Sequence, residues 1–199
     1  MLYFIFKYIY TNKMIKPFKV EISEETIKNI YFKVKNYSWH EIPDDGGWDY
    51  GTNLDYMKEF SEYWVKKYDW RKTEEKINNF KNFKSKIDGI DIHFIHEKGS
   101  GFNPKSLLLS HGWPGSIVEF LHIIDKLAHP EKFGGKEEDA FNVIVPSLPG
   151  FGFSGRPPRP IGPRKMASIF NSLMTKVLGY KKYIAQGGDF GGTIATWLA

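Results

Sequence analysis

The sequence contains no cysteine. That excludes disulfides, thiolate catalysis and cysteine-ligated zinc, and it suits a reducing compartment. A membrane-length apolar run is also lacking at the amino terminus. Residues Met1 to Tyr10, MLYFIFKYIY, are apolar except for Lys7, but a spanning helix needs about 20 apolar residues. The stretch lacks the basic start, longer apolar run and small-residue cleavage site of a signal peptide. It reads as a poorly ordered leader over residues 1–14, with the remnant of a membrane anchor as the alternative. A continuous basic stripe is absent too. Net charge is +5, but the lysines are interleaved with Glu, Asp and Asn. The densest basic stretch, Arg156-Pro157-Pro158-Arg159-Pro160 running on to Arg164 and Lys165, is a proline-rich loop. Nucleic-acid binding would want a basic face with aromatics or a recognisable module, so no nucleic-acid partner is expected. No metal-ligand pair stands out either: His93 and His96, three apart on a strand, point to opposite faces.

What is present is ordinary globular usage for one domain of 199 residues, with 41% hydrophobic and 26% charged residues. Aromatics are abundant, with 16 Phe, 11 Tyr and 6 Trp. They fit core filling first, and an aromatic-lined pocket for an apolar substrate second. Organisation changes near residue 87. Before it, Ser23 caps an expected helix with Ile27, Ile30, Tyr31 and Val34 at helical spacing. A glycine-punctuated loop follows from His40 to Thr52, then a helix from Leu54 to about Tyr68, then a third short helix capped by Thr73. After it, Phe83-x-Ser85-x-Ile87, Asp88-Gly89 and Ile90-x-Ile92-x-Phe94 read as a hairpin. Ser106 to Ser110 is a strand buried on both faces, followed by a helix around Ile117 to Leu127. Phe141 to Val145 is another such strand, then a helix from about Lys165 to Val177. Tyr183 to Ala185 and Thr193 to Leu198 give a further strand and helix. Strands alternating with helices predict a parallel sheet.

Gly187-Gly188-Asp189-Phe190-Gly191-Gly192 lies between a strand and a helix. Its pattern of small, any, nucleophile, any, small is that of a nucleophile elbow, with Asp189 in the nucleophile's place. Gly187 and Gly191 relieve a turn too tight for side chains. A carboxylate there makes an alkyl ester by attacking saturated carbon, and the helix N-terminus favours its charged form. A plain N-cap aspartate is the alternative for such a motif taken alone. Upstream, His111-Gly112-Trp113-Pro114-Gly115-Ser116 follows the buried strand. Gly112 permits a sharp turn, so that the Trp113 N–H can join the Phe190 N–H as an oxyanion hole. Gly150-Phe151-Gly152-Phe153-Ser154 follows the next strand as a tight loop beside the site.

HGWPGS, SLPGFGFSG and GGDFGG, in that order and spacing, resemble the epoxide hydrolases of the α/β-hydrolase superfamily. Pro17-Phe18, Trp39, Trp48-Asp49-Tyr50-Gly51-Thr52, Trp64, Tyr68-Asp69-Trp70-Arg71 and Ile92-His93-Phe94 resemble its microsomal and juvenile-hormone branch. The resemblance covers roughly residues 15–199. It implies an α/β-hydrolase fold with a mostly parallel sheet: an amino-terminal helical region over 15–86, then an incomplete core over 87–199. It implies a cis Trp113-Pro114 peptide, His111, Gly112, Pro114, Gly187 and Gly191 as supporting positions, and opening of an apolar epoxide to a vicinal diol with no cofactor and no metal. Trp113, Phe151, Phe153 and Phe190 would line the substrate site. In that family the acid, histidine and two tyrosines that complete catalysis lie downstream of the nucleophile. Only ten residues follow Asp189, and none of His40, His93, His96, His111, His122 and His129 follows a late strand. The chain is therefore expected to be the front half of a longer enzyme, truncated after the elbow. The alternatives are a non-catalytic fragment and a haloalkane dehalogenase-type hydrolase. An intracellular setting is expected, cytoplasmic or associated with the endoplasmic reticulum; membrane association and oligomeric state stay open.

Overall fold

A computed structural model describes residues 15–41 and 46–199. The leader expected over residues 1–14 lies outside them, as does the Pro43 portion of the glycine-punctuated loop. The chain divides into two compact units, one of residues Glu21–Glu75 and one comprising the residues up to Val20 together with Lys76–Ala199.

The Glu21–Glu75 unit is helical. Helix α1 spans Glu24–Lys35, and the Ser23 side chain accepts the Thr26 N–H at 3.2 Å, as an N-cap should. Helix α2 spans Leu54–Lys66, capped by Asn53. Helix α3, Trp70–Asn78, begins three residues earlier than Thr73 suggests, with its last residues in the other unit. Asp69 accepts the Arg71 N–H at 2.9 Å and opens the helix, while the Thr73 hydroxyl pairs with the Tyr68 phenol at 2.9 Å. Two acceptors compete at this boundary, and the carboxylate nearer the turn wins. Glu74 binds the unit together by accepting from the Ile22 N–H at 2.7 Å, the Trp70 indole at 3.0 Å and Arg71 at 2.7 Å. Along α2 the aromatic rings of Tyr56, Phe60 and Trp64 follow one another at i, i+4. No residue of α2 is buried, and an open groove of about 530 Å³ runs beside Met57, Phe60 and Trp64.

The second unit is built on a six-stranded sheet: β1 (Ile15–Pro17), β2 (Asn82–Ile87), β3 (Ile90–Glu97), β4 (Lys105–Ser110), β5 (Phe141–Pro146) and β6 (Ile184–Gly187), in spatial order β1-β2-β3-β5-β4-β6. The expected hairpin pairs Ile87 with Ile90 across Asp88-Gly89, whose positive φ angles of 49° and 82° suit a two-residue turn in a right-twisted ribbon. Pairing is antiparallel from β1 through β3 to β5 and parallel from β5 through β4 to β6. The parallel sheet expected from the strand–helix alternation is thus the β5-β4-β6 block, and the sheet as a whole is mixed. Its antiparallel half comes from the hairpin and from β1, a strand too short to announce itself in the sequence. The mostly parallel sheet expected from the resemblance is corrected accordingly.

Between strands lie a 3-10 turn (Ile117–Phe120) leading into helix α4 (Leu121–Ala128), helix α5 (Pro163–Ser172) running into a π turn (Leu173–Val177), and helix α6 (Phe190–Leu198). The core joins Ile92, Phe94, Leu108 and Ile144 of the sheet to Phe170, Leu173 and Ile194 of the helical layer. All seven are fully buried, which is the dominant favourable term in folding.

Asn82 and His93 are buried beside this core with their side-chain polar atoms hydrogen-bonded. Asn82 donates its amide to the Ile77 and Phe80 carbonyls, both at 2.8 Å, so its oxygen faces His93 and accepts from Nε2–H at 3.0 Å. Nδ1 of His93 then accepts from the Ser147 hydroxyl at 2.9 Å. Burial, with a smaller contribution from Lys84, pulls the His93 pKa down to about 3. His96 sits 2.9 Å from the Tyr180 hydroxyl and, through burial and the charges of Lys98 and Lys81, falls to about 4. Both rings are neutral in the fold, while the unfolded chain protonates them below about pH 6.5. Their contribution is therefore intact above pH 6.5 and is lost as pH falls toward 4. Each contributes about 2 kcal/mol of destabilisation at pH 5. Urea denaturation at pH 7.5 and pH 5 should reveal the loss; equal midpoints would contradict two histidines kept neutral by the fold.

Candidate active site

Residue 189 is the meeting point of β4, β6 and α6. Ser110 at the end of β4 pairs with Gly187 at the end of β6, so the segments that follow, His111–Pro114 and Gly188–Asp189, leave the sheet side by side. Asp189 takes φ 52°, ψ −128°, a left-handed backbone rare for any non-glycine residue. The turn is crowded on every side. A Cβ on Gly187 would collide with the backbone of Gly191, and one on Gly191 with the Ser110 carbonyl. A Cβ on Gly112 would lie 2.6 Å from the Asp189 Cβ. These three glycines are the condition for the approach.

The carboxylate projects into a cage of backbone donors. The Trp113 N–H donates to Asp189 Oδ1 at 2.8 Å, and the Phe190 N–H faces the same carboxylate. These two N–H groups, Trp113 first, hold the Asp189 pKa below the usual carboxylate range, because they favour the charged form. The Asp189 side chain makes no capping bond to the first turn of α6 of the kind a plain N-cap aspartate makes with the second or third helical N–H. Trp113-Pro114 is a cis peptide. Beyond it, Ser116 and Glu119 form a reciprocal capping box that starts the helical turn at Ile117.

His111 is fully buried. Its Nε2 accepts the Leu148 N–H at 3.0 Å, so the ring proton is on Nδ1, which donates to the Gly112 carbonyl at 2.9 Å. Burial lowers its pKa, opposed by the Gly112 carbonyl and Glu119. Both nitrogens are occupied, as are those of His93, and neither ring is free to act as a base. Among the aromatics, Trp113 and Phe190 flank Asp189 in sequence and are 61% and 43% exposed. Phe151 is half-buried, with its ring 6.2 Å from His111, and Phe153 packs edge-on against His93 at 5.1 Å and beside Phe18 at 5.8 Å. The structure therefore brings Trp113 and Phe190 to the carboxylate and engages Phe151 and Phe153 in holding the loop after β5. Sequence reasoning missed Ser147 and Ser154 as positions that tie this loop to β3; serine in a glycine-rich loop carries no signal of its partners. Among the described residues no group of acids and histidines could hold a metal, and no helix is long and apolar enough to cross a membrane.

The crowding separates neighbouring glycines. Gly191→Ala should cost about 3 kcal/mol or more, since the clash is with backbone that cannot rotate away, and should abolish the elbow. Gly188→Ala, with nothing within 4 Å of its added carbon, should cost under about 1 kcal/mol. Thermal denaturation of the two variants checks this; equal losses would mean that the elbow is not closely packed.

Comparison with known proteins points the same way as the geometry. The family model described as "Epoxide hydrolase N terminus" matches residues 15–120, and that described as "alpha/beta hydrolase fold" matches residues 105–199. The chain is 40% identical to epoxide hydrolase 1 of Sus scrofa over 193 residues, covering 94% of this chain and 42% of that protein. It is 37% identical to juvenile hormone epoxide hydrolase 1 of Ctenocephalides felis, covering 93% of this chain and 40% of that one. The crystal structure of juvenile hormone epoxide hydrolase from the silkworm Bombyx mori superposes with a TM-score of 0.78 at 32% identity, over 94% of this chain and 45% of the other. The epoxide hydrolase of Aspergillus niger gives 0.79 at 31% identity, over 90% and 47%. The chain thus spans rather under half the length of the relatives it matches. With the carboxylate elbow, the facing Trp113 N–H and these matches over nearly all of its residues, the chain belongs to the epoxide hydrolase family of the α/β-hydrolase fold.

Proposed function

We propose that this chain carries the nucleophile half of an epoxide-opening active site, with Asp189 as the attacking group. The observation that supports it is the carboxylate at the elbow, charged and held by the Trp113 and Phe190 N–H groups. In the first step an Asp189 oxygen forms a bond to one ring carbon of the epoxide. The ring C–O bond breaks, and its electron pair stays on oxygen as an alkoxide that takes a proton from an acid. In the second step water attacks the ester carbonyl, and the charge that develops on the former carboxylate oxygen falls where the two N–H groups point. Collapse releases a vicinal diol and restores Asp189. No metal or organic cofactor enters either step.

The exposed rings of Trp113 and Phe190 favour an apolar epoxide. The epoxide hydrolase and juvenile hormone epoxide hydrolase names of the relatives support an epoxide as the substrate. The proton donors and the base that activates water are assigned to residues outside these 199, consistent with the coverage of the relatives. A chain that binds without turning over is the second reading, favoured by the commitment of both nitrogens of His93 and His111 to structural hydrogen bonds. The two separate on one assay. Full-length protein supplied with styrene oxide should form the diol, and Asp189→Ala should lower kcat by at least about a thousandfold with the fold retained. Equal rates in the two proteins would remove Asp189 from the chemistry, and no diol from the wild type would favour the non-catalytic reading.

A further inference from the structure

A chain of hydrogen bonds runs from the sheet to the nucleophile, and every link points the same way. The His93 backbone N–H donates to the Ser154 hydroxyl at 3.0 Å, and that hydroxyl donates to the Ser147 carbonyl at 2.8 Å. The same peptide unit continues on its other side: the Leu148 N–H donates to Nε2 of His111 at 3.0 Å. Nδ1–H of His111 donates to the Gly112 carbonyl at 2.9 Å. The other end of the Gly112–Trp113 peptide is the Trp113 N–H, which donates to Asp189 Oδ1 at 2.8 Å. A hydroxyl, two peptide groups and an imidazole thus stand head to tail and end on the carboxylate.

The direction is fixed at each station. Ser154 cannot reverse, because it accepts from an N–H. His111 cannot reverse, because the Leu148 N–H requires a bare Nε2. Each donor in such a chain polarises the next. From this we infer that Ser154 and His111 are positioning residues for the reaction: they orient and strengthen the Trp113 N–H that holds Asp189 and later receives the charge of the tetrahedral intermediate. Neither touches substrate. The catalytic meaning of the relay rests on Asp189 being the nucleophile; the relay itself does not.

The test exploits the two ends of the imidazole. Asparagine at 111 places an amide donor near the Nδ1 position and loses the acceptor facing Leu148. Glutamine places an acceptor near Nε2 and loses the donor to Gly112. The carboxyl of Asp189, labelled with 13C and assigned by its loss in Asp189→Ala, is titrated by NMR in the full chain. His111→Gln should raise the Asp189 pKa by about 0.5 pH unit or more, and His111→Asn should raise it less. A residue that merely tethered the two loops would give the opposite order, because only glutamine keeps the bond to Leu148. Ser154→Ala should shift Asp189 in the same direction by a smaller amount, and Ser154→Thr should restore it. If the 111 variants do not fold, the alanine and threonine variants at 154 decide alone. An Asp189 titration unmoved by Ser154→Ala, or moved more by His111→Asn than by His111→Gln, overturns the proposal. The titration needs no epoxide, so a relay that behaves as expected in a protein that makes no diol would refute the proposed reaction and not the relay.

Discussion

The structure turns on one backbone conformation, the positive φ of Asp189. A non-glycine residue there costs on the order of 1–3 kcal/mol and persists only where its surroundings over-determine it. Here they do. Gly191 lies against the Ser110 carbonyl, Gly187 against Gly191, and Gly112 against the Asp189 side chain. The ends of β4 and β6 are level because Ser110 and Gly187 are paired, and the start of α6 has nowhere else to go. From that crowding follow the outward carboxylate and the approach of the Trp113 N–H, which favours its charged form.

A second layer serves the first through neutral histidines. His93 and His111 are both fully buried, and each has one nitrogen donating and the other accepting. An imidazole can span two loops with a fixed polarity, one nitrogen donating and the other accepting, provided that it stays uncharged. His93 ties the loop after β5 to β2 and β3. His111 ties that same loop to the one after β4. Protonation would put a donor against the Ser147 hydroxyl or the Leu148 N–H, so the same burial that lowers their pKa values also protects the geometry.

The elbow was the most legible part of this chain because its glycines are forced by sterics, standing where a Cβ would strike a neighbour. The hairpin at Asp88-Gly89 was legible for a similar reason, as two residues with positive φ leave few choices. Strands β4 and β5 of the parallel block were visible as continuous apolar runs, Leu107-Leu108-Leu109 and Val143-Ile144-Val145. What could not be read is whatever depends on a distant partner. Strand β1 exists through its pairing with β2, and nothing in Ile15-Lys16-Pro17 marks it. The start of α3 at Trp70 was decided by Asp69 against Thr73. The ring contacts of Phe151 with His111 and of Phe153 with His93 were equally invisible. Ser154 gave no sign of its place between His93 and Ser147.

The central claim is that Asp189 attacks the epoxide and is then cleaved from the product at its own carbonyl. A single turnover of full-length enzyme in water enriched in 18O tests it most directly, with enzyme in excess over an epoxide. If the ester forms, the diol of the first turnover carries unlabelled oxygen from Asp189, and the Asp189 carboxyl gains one 18O, read from the mass of its peptide. Direct attack of water on the epoxide would put the label in the first diol and leave Asp189 unlabelled, and that result would contradict the account.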